Sequence, residues 1–283
     1  MAAAAQGKPA AGGIYSPAVA LEFFKAAGKP DKFAQGTVIF AEHDKARPYL
    51  FMRDKMYLLI DGEVNLVAGK KVIGTVARGG IFGEMASITH APRSASAIAK
   101  TACRVISLDD QQFQQALAKK PVFALMLMSM MIARLRETIS RLRANDALPA
   151  DAALKESVVF DPKRLADLAD GLSRDEPVYF DRGKTIVQEG QAGLRMYAVL
   201  EGHVTVSIGG YVVEKLGPGG VFGELALIEQ APRIASVTAE TDCSLLPINR
   251  AAFVLLVKTS PDFAASLLGS LAERLRLLTS RLK

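Results

Sequence analysis

The chain has 283 residues, of which 50% are hydrophobic and 23% are charged, and this balance is typical of globular domains. Its length is sufficient for two domains that each bury a core of their own. The formal net charge of +6 supports only non-specific, salt-sensitive association with nucleic acid, so we expect no specific nucleic-acid partner.

The N-terminal segment MAAAAQGKPAAGG, residues 1–13, lacks the apolar core of a signal peptide and is predicted to be a disordered tail. The apolar run PVFALMLMSMMIARL meets Arg134 after thirteen residues, which is shorter than the stretch of about eighteen that a membrane span needs. We therefore expect no membrane span and a cytoplasmic protein.

The same order of elements is predicted twice along the chain. A short helix (VALEFFKAA) precedes the strands TVIF, MYLLI, EVNLVAG and KVIGTV, and the helix DQQFQQALAKK follows them. The second series is PKRLADLADGL, then KTIVQ, MYAVL, HVTVSIG and YVVEKLG, then NRAAFVLLVKT. Each series ends in a long helix that opens near a proline, Pro121 or Pro261. Short β-rich runs separated by glycine-containing turns indicate antiparallel rolls.

The sequence therefore predicts an α+β fold of two tandem antiparallel β-rolls of the jelly-roll type, each with flanking helices and a long C-terminal helix. The predicted domains are residues 14–146 and 147–283. The segment FGEMASITHAPRSASA (residues 82–97) returns 140 residues later as FGELALIEQAPRIASV (residues 222–237). Upstream the offset is 147, so the first copy has about seven extra residues in the loop containing HDKARPYLFMRDK.

Each repeated segment contains the spacing Gly-Glu-x8-Arg, which we call the cassette: Gly83, Glu84 and Arg93, then Gly223, Glu224 and Arg233. Glycine lets backbone N–H groups approach an anionic phosphate, and arginine supplies a planar fork of donors for its oxygens. The carboxylate can accept hydrogen bonds from a ribose hydroxyl. A single such pair would be explained more simply as a surface ion pair, but two copies within a longer repeat favour a binding site for a phosphorylated sugar.

Other site chemistries have no support in the sequence. No Ser-His-Asp, Cys-His or paired-carboxylate arrangement stands out, so we expect no catalytic residues. His43, His90 and His203 are scattered without metal-ligand spacing, so we expect no metal site. Cys103 and Cys243 occupy equivalent strand positions and are predicted to be buried and reduced.

The long helices contain leucine-rich seams with a 3,4 spacing: Leu125, Met128, Ile132, Leu135, Ile139 and Leu142 in the first, and Leu268, Leu271, Leu275, Leu278 and Leu282 in the second. This spacing predicts helix pairing, either within one chain or in a homodimer. Packing of each helix on its own roll is the alternative. The arginines beside the seams are interpreted as solvated basic faces.

Both cassettes resemble the phosphate-binding cassette of the cyclic-nucleotide-binding domain, in which the Glu holds the ribose 2′-hydroxyl and the Arg holds the cyclic phosphate. The resemblance implies these ligand-binding residues in the first copy: Phe82, Gly83, Glu84, Met85, Ala86, Arg93, Ser94, Ala95 and Thr138. In the second copy it implies Phe222, Gly223, Glu224, Leu225, Ala226, Arg233, Ile234, Ala235 and Thr279.

From the cassette to the long helix, the first copy resembles the sensor half of the bacterial catabolite activator and fumarate-nitrate regulator family. That family presents a Thr-Ser pair on the long helix to the adenine. The matching positions here are Thr138-Ile139 and Leu278-Thr279, so each copy keeps one hydroxyl of the pair. The Ala-Pro-Arg element is closer to the regulatory subunit of protein kinase A.

The resemblance implies a non-catalytic receptor that binds up to two cyclic mononucleotides per chain and signals to a protein effector by changing its helix packing. Cyclic AMP is the expected ligand and cyclic GMP the alternative, because Ser94 leaves the first copy permissive for guanine while Ile234 removes that donor from the second. The sequence shows neither a helix-turn-helix domain after the long helices nor an Arg-Arg-x-Ser-like inhibitory segment in residues 1–35. The other functions considered are the regulatory subunit of a separately encoded enzyme and a helix-mediated scaffold with relic cassettes.

Overall fold

The computed structural model describes residues 5–6, 16–45, 54–145, 148, 156–172 and 176–281. These residues belong to two compact units, Met1–Arg141 together with Leu268–Lys283, and Leu142–Leu267. The units differ from the predicted domains at two places: the second unit begins at Leu142 and not at residue 147, and Leu268–Lys283 of the second repeat is grouped with the first unit. Residues 46–53 of the longer first-copy loop and Leu282 lie outside the described residues.

The first unit contains a roll of two sheets. Its strands are β1 (Ala5–Gln6), β2 (Lys29–Phe33), β3 (Val38–Phe40), β4 (Lys55–Asp61), β5 (Val64–Ala68), β6 (Lys71–Val76), β7 (Ile81–Phe82), β8 (Ser96–Ala99) and β9 (Cys103–Asp109). One sheet has the order β1-β6-β5-β8-β3 and the other β2-β9-β4-β7. Residues of both sheets, including Tyr57, Leu59, Val64, Phe82 and Val105, form one buried cluster.

The second unit repeats this topology strand for strand. Its strands are β10 (Glu156–Ser157), β11 (Val178–Phe180), β12 (Thr185–Val187), β13 (Arg195–Glu201), β14 (Val204–Ile208), β15 (Tyr211–Leu216), β16 (Val221–Phe222), β17 (Ser236–Ala239) and β18 (Cys243–Asn249). They form the sheets β10-β15-β14-β17-β12 and β11-β18-β13-β16. The predicted α+β fold of tandem, mainly antiparallel rolls is confirmed.

Among the strands that the structure describes, one pair in each roll is parallel. β1 pairs with β6 (Ala5↔Thr75, Gln6↔Val76) and β10 pairs with β15 (Glu156↔Lys215, Ser157↔Leu216). Two residues of the segment predicted to be a disordered tail therefore belong to a sheet edge, where backbone hydrogen bonds to β6 offset the loss of chain entropy. The rest of residues 1–13 lies outside the described part of the chain.

A tight hairpin between β5 and β6 shows how glycine fixes strand register. Gly69 has a φ of +58° and follows directly after β5, and the corresponding Gly209 between β14 and β15 has the same φ. A two-residue hairpin turn requires left-handed backbone conformations, which glycine adopts without strain. The next residue is Lys70 in one copy and Gly210, with a φ of +88°, in the other.

Eight helices accompany the strands in the described part of the chain, and all except the short α2 and α6 lie where the sequence predicts them. In chain order they are α1 (Pro17–Ala27), α2 (Glu84–Thr89), α3 (Asp110–Lys119), α4 (Val122–Ala144), α5 (Pro162–Gly171), α6 (Glu224–Glu229), α7 (Arg250–Thr259) and α8 (Pro261–Ser280). The start of α3 is fixed by a capping box between Asp109 and Gln112. The short helices α2 and α6 had no periodic signal in the sequence because each has only six residues.

The described seam residues of α4 and α8 are buried. Ile132 and Leu142 in α4 and Leu268 in α8 are fully inaccessible, and Leu275 is 3% exposed. This burial is the outcome expected of an apolar seam in a folded chain. Both cysteines are buried and free, as predicted, and burial raises the pKa of each thiol above its ordinary value.

No single helix among the described residues is both long and apolar enough to cross a membrane. Two consecutive helix pairs, α3 with α4 and α7 with α8, satisfy the length and composition test only when taken together, and they are bent by 120° and 109°.

A cluster of aromatic side chains packs between α1, α3 and α4 in the first unit. The rings of Phe23 and Phe123 are stacked with their centroids 3.6 Å apart, and Phe24 meets Phe123 edge-on at 6.2 Å. Phe113 contacts Phe23 in the same edge-on manner. All four rings are at most 2% exposed, so they supply a large share of the apolar burial beneath the long helix.

We expect Phe123→Ala to lower the free energy of unfolding of the first unit by about 3–5 kcal/mol, because a buried aromatic side chain is replaced by a cavity. Val122→Ala is the matched control, since the neighbouring Val122 is 51% exposed and its loss should cost less than about 0.5 kcal/mol. Urea denaturation followed by far-ultraviolet circular dichroism measures both. Equal effects of the two substitutions would contradict the role of the cluster.

Candidate functional site: the two cassettes

Each cassette begins at a glycine in the left-handed backbone conformation. Gly83 (φ +76°) and Gly223 (φ +86°) follow the two-residue strands β7 and β16 and are the N-caps of α2 and α6. A Cβ at Gly83 would lie 2.9 Å from the carbonyl oxygen of Lys55 and 3.1 Å from Nη1 of Arg93. Only glycine combines this conformation with this close approach.

The cassette arginine of the first copy is buried and held by backbone carbonyls. Nη1 of Arg93 donates to the carbonyl of Gly83 (2.8 Å) and Nη2 to that of Lys55 (2.9 Å). Nη2 also lies 3.4 Å from the Asp54 carboxylate, and the guanidinium carbon lies 4.2 Å from the centre of the Phe40 ring. Burial lowers the pKa of Arg93, while Asp54 acts in the opposite direction. The guanidinium is thus preoriented and has further N–H donors for an anion.

The cassette carboxylate is tied to the long helix. Glu84 is 1% exposed and its Oε1 accepts a hydrogen bond from Arg134 of α4, which also donates to the carbonyl of Ile81. The side chain of Arg134 is only 19% exposed. The interpretation of Arg134 as part of a solvated basic face is therefore wrong, because a buried carboxylate needs a charged or hydrogen-bonding partner.

The elements of the first unit enclose a pocket around these groups. Its lining includes all nine first-copy residues predicted to bind ligand: Phe82, Gly83, Glu84, Met85, Ala86, Arg93, Ser94, Ala95 and Thr138. Seven further lining residues were not predicted to bind: Phe40, Leu66, Ile73, Arg134, Glu137, Arg141 and Leu275. The last lining residue is Thr279, which the repeat pattern assigns to the second copy and the structure places in the first pocket. It reaches this pocket because Leu268–Lys283 belongs to the first unit.

Two of the unpredicted lining residues form a second ion pair on α4. Nη2 of Arg141 donates to Glu137 one helical turn earlier (2.5 Å), and its Nη1 donates to the carbonyl of Ile73 (2.9 Å). Arg141, which lines the pocket, therefore connects α4 to β6. The four-residue spacing of Glu137 and Arg141 was the only sequence signal for this pair.

The second cassette has the same internal geometry. Glu224 is 1% and Arg233 9% exposed. Nη1 of Arg233 donates to the carbonyl of Gly223 (2.6 Å) and Nη2 to that of Arg195 (2.5 Å). Burial lowers the pKa of Arg233 as it does that of Arg93. The duplicated hydrogen bonds show that both arginines are held in place by the fold itself.

The surroundings of the two arginines differ. The position that corresponds to Asp54 is Leu194, which is 83% exposed. Beside it, Gly193 leaves room for the guanidinium, because a Cβ at Gly193 would lie 2.0 Å from Nε of Arg233. Asp54 therefore compensates part of the positive charge of Arg93, whereas the matching residue of the second copy, Leu194, carries no charge.

The other second-copy residues predicted to bind ligand lie in the second unit beside this arginine. Phe222 ends β16, and Leu225 and Ala226 belong to α6. Ile234 and Ala235 directly precede β17. Phe222 and Ala226 are buried, whereas Leu225, Ile234 and Ala235 are partly accessible.

A second duplicated contact involves Glu42 and Glu189, which are 147 residues apart and so occupy matching positions at the upstream offset of the repeat. Each carboxylate accepts a hydrogen bond from the glycine N–H that follows the neighbouring strand, Gly69 (2.7 Å) or Gly209 (2.8 Å). Glu189 also accepts from Arg143. These contacts support the hairpins, so the retained glutamates have a structural explanation. Among the residues described, no three His, Cys, Asp or Glu side chains are grouped to hold a metal ion.

Comparison with known proteins gives matches in both repeats. The family model of the cyclic nucleotide-binding domain matches residues 30–120 and 177–260. The cAMP-dependent protein kinase regulatory subunit of Eremothecium gossypii is 29% identical over 225 residues, 79% of this chain and 42% of that protein. The subunit of the same name from Colletotrichum orbiculare is 31% identical over 192 residues, 67% of this chain and 43% of that protein.

This chain therefore spans less than half the length of these curated relatives. Among solved structures, the regulatory domain of Toxoplasma gondii protein kinase A with cAMP covers 89% of this chain, which in turn covers 88% of that domain, at 24% identity and a TM-score of 0.32. The family model covers most of both rolls and contains both cassettes. The chain belongs to the cyclic nucleotide-binding domain family and contains that domain twice.

Proposed function

We propose that this protein is a non-catalytic receptor that binds a cyclic mononucleotide in each cassette and relays binding to a protein partner. The observation that supports this most directly is the duplicated geometry. In each copy a carboxylate that is 1% exposed and an arginine that is at most 9% exposed converge on a left-handed glycine. Burial of a charge is costly, so the retention of the same buried charged pair in both copies favours a role in binding a ligand.

The groups of the first pocket match the parts of a cyclic nucleotide. The Arg93 guanidinium would bind the cyclic phosphate, and Gly83 would leave its backbone open to the phosphate oxygens. The Glu84 carboxylate would accept the ribose hydroxyl. Glu224 and Arg233 would have the same roles in the second copy.

The long helix is the element through which binding would be relayed. Arg134 of α4 shares the Glu84 carboxylate, and a ribose hydroxyl at the same carboxylate would compete with this contact. Nucleotide binding would therefore change how α4 is held against the cassette. A ligand shifts such an equilibrium only by its differential affinity for the two states.

Cyclic AMP is the proposed ligand at both sites, and cyclic GMP is the alternative at the first. The names of both curated relatives specify cAMP dependence, and Ser94 at the first pocket is the residue that would accept guanine. The Ser94 hydroxyl donates to the sulfur of Met85 at 3.8 Å, a weak contact that a base could replace.

The second candidate is a regulatory subunit whose catalytic partner is a separately encoded protein kinase. The two curated relatives are both regulatory subunits and match 67–79% of this chain. We propose a cytoplasmic location for either function. Either function is compatible with a homodimer formed through the long helices. Co-purification with a kinase catalytic subunit would favour the second candidate.

We expect two cyclic AMP molecules to bind per chain in isothermal titration calorimetry. Cyclic GMP should bind more weakly, and cyclic di-GMP should not bind because its second phosphate has no matching arginine in the cassette. Absence of heat with all three nucleotides would contradict the receptor function and favour a scaffold with relic cassettes.

Arg93→Ala and Arg233→Ala should each abolish one of the two sites. Loss of a charge-assisted contact to phosphate costs about 2–5 kcal/mol, which is roughly thirtyfold or more in affinity. Arg104→Ala is the control, since that side chain is 61% exposed and paired with Asp61. If the unsubstituted chain binds only one nucleotide and one of the two variants still binds one, the copy substituted in that variant is a relic.

Gly193→Ala should weaken the second site about tenfold or more and leave the first unchanged. The added Cβ occupies the position of the Arg233 guanidinium, which must move and lose a charge-assisted hydrogen bond of about 1.5–3 kcal/mol. Gly171→Ala is the control because a Cβ there meets nothing within 4 Å. Calorimetry of both variants in the Arg93→Ala background isolates the second site, and equal affinities would show that the space beside Arg233 is unimportant.

A further inference from the structure

The sulfur of Met85 lies in the first pocket beside a hydroxyl group. Met85 is in the first turn of α2 and lines the pocket around Arg93, and the Ser94 hydroxyl donates to its sulfur at 3.8 Å. Both side chains are partly accessible. The second copy has Leu225 and Ile234 at the positions 140 residues later. The sulfur and the hydroxyl are therefore present together in one copy and absent together in the other.

Packing alone does not require a sulfur atom at this position. Methionine and leucine have similar volumes and usually replace one another at a small cost, and the matching Leu225 occupies the same place in α6. The property that leucine lacks is chemical, because a thioether can be oxidised to a sulfoxide. Met85 therefore gives the first pocket a reactive group that the second cassette does not have.

Met85 is accessible to a small oxidant, unlike most methionines that the structure describes. Met130 on α4 is also partly accessible. The other described methionines are at most 2% exposed: Met56, Met126, Met128, Met131 and Met196. Because oxidation of a side chain follows its exposure, we expect it to be concentrated at Met85 and Met130. Of these two, Met85 lines the pocket.

We propose that Met85 is a redox-sensitive modification site, at which oxidation by a peroxide weakens nucleotide binding to the first site. The O–O bond of the peroxide breaks, one oxygen atom forms a bond to the Met85 sulfur, and the sulfur gives up two electrons. With hydrogen peroxide, the other oxygen and both hydrogens leave as water. The Ser94 hydroxyl, which already donates to the sulfur, donates to the new sulfoxide oxygen and holds it in the pocket.

A sulfoxide at Met85 opposes ligand binding in two ways. It is polar, whereas the thioether is apolar, so a ligand that covers it must remove a polar group from water. The added oxygen also occupies space beside Ser94. The first site therefore loses affinity, while the second site, with Leu225, keeps its own. This effect on binding rests on the proposed receptor function, whereas the oxidation of Met85 does not.

Hydrogen peroxide treatment of the full chain, followed by peptide mass spectrometry, measures the oxidation of each methionine. Met85 and Met130 should gain one oxygen atom before the buried methionines do. In the Arg233→Ala protein, in which only the first site remains, the treatment should weaken cyclic AMP binding about tenfold in calorimetry, the effect of one polar group buried without full compensation. Methionine sulfoxide reductase with a thiol reductant should restore the affinity.

Further substitutions separate Met85 from other reactive side chains, and each variant is compared with itself before and after peroxide treatment. Met85→Leu should remove the loss of affinity, whereas Met130→Leu should leave the loss unchanged. The Arg93→Ala protein, which retains only the second site, should not respond because Leu225 cannot be oxidised in this way. Ser94→Ala should make the loss smaller, because the sulfoxide is then free to leave the pocket.

The assignment would be overturned if Met85 stayed unoxidised while Met130 reacted, or if complete oxidation of Met85 left cyclic AMP affinity unchanged. A loss of affinity that persists in Met85→Leu would also overturn it. An equal loss in the Ser94→Ala protein would overturn the role of Ser94. Absence of cyclic AMP binding to the untreated, unsubstituted chain would instead overturn the receptor function, and mass spectrometry would still measure whether Met85 is oxidised.

Discussion

The burial of two guanidinium groups against backbone carbonyls is the constraint on which both halves of this molecule depend. A buried arginine loses its hydration, and the lowered pKa of Arg93 reflects that loss. Carbonyls at the cassette glycine and at the start of the neighbouring strand compensate for it. For those carbonyls to converge, the chain must turn through the left-handed conformation at Gly83, so the strand, the turn and the short helix after it are fixed together. An anion that arrives there meets a cation already desolvated and oriented, which is the general requirement for strong electrostatic recognition.

The same cassette placed in two surroundings gives two electrostatic environments. Asp54 lies beside Arg93 in the first copy, where it offsets part of the positive charge that an anion would feel. At the matching position the second copy has an exposed leucine. Repetition has thus preserved the contacts inside the cassette, while the residues around it have diverged. We therefore expect the two cassettes to differ in their affinity for an anion.

Local patterns made most of the fold and much of the site predictable. Short β-rich runs between glycine-containing turns, proline at helix starts and the 3,4 spacing of α4 and α8 all depend on neighbouring residues, and these elements formed where expected. The cassette residues were predictable because they lie within sixteen consecutive positions. The contact between Glu84 and Arg134 joins residues far apart in sequence, and nothing in the local pattern of either residue indicates it. Asp54 lies within the segment that differs in length between copies, so the repeat gave no reason to select it. The sequence comparison assigned Thr279 to the second repeat because it lies there along the chain. The residue lines the first pocket because Leu268–Lys283 packs with the first unit.

The position of Thr279 and Leu275 in the first pocket has a consequence for biosynthesis. A ribosome completes the roll, the cassette and α4 of the first repeat long before it adds these two residues. A nascent chain that already contains Arg93 and Glu84 would still have a pocket with one wall missing, open to water on the side where α8 will lie. Because domains fold largely in the order in which they emerge, the first roll would form early while its pocket would close last. The first cassette is therefore synthesised before the second, but the residues that line its pocket are complete only when α8 has been added.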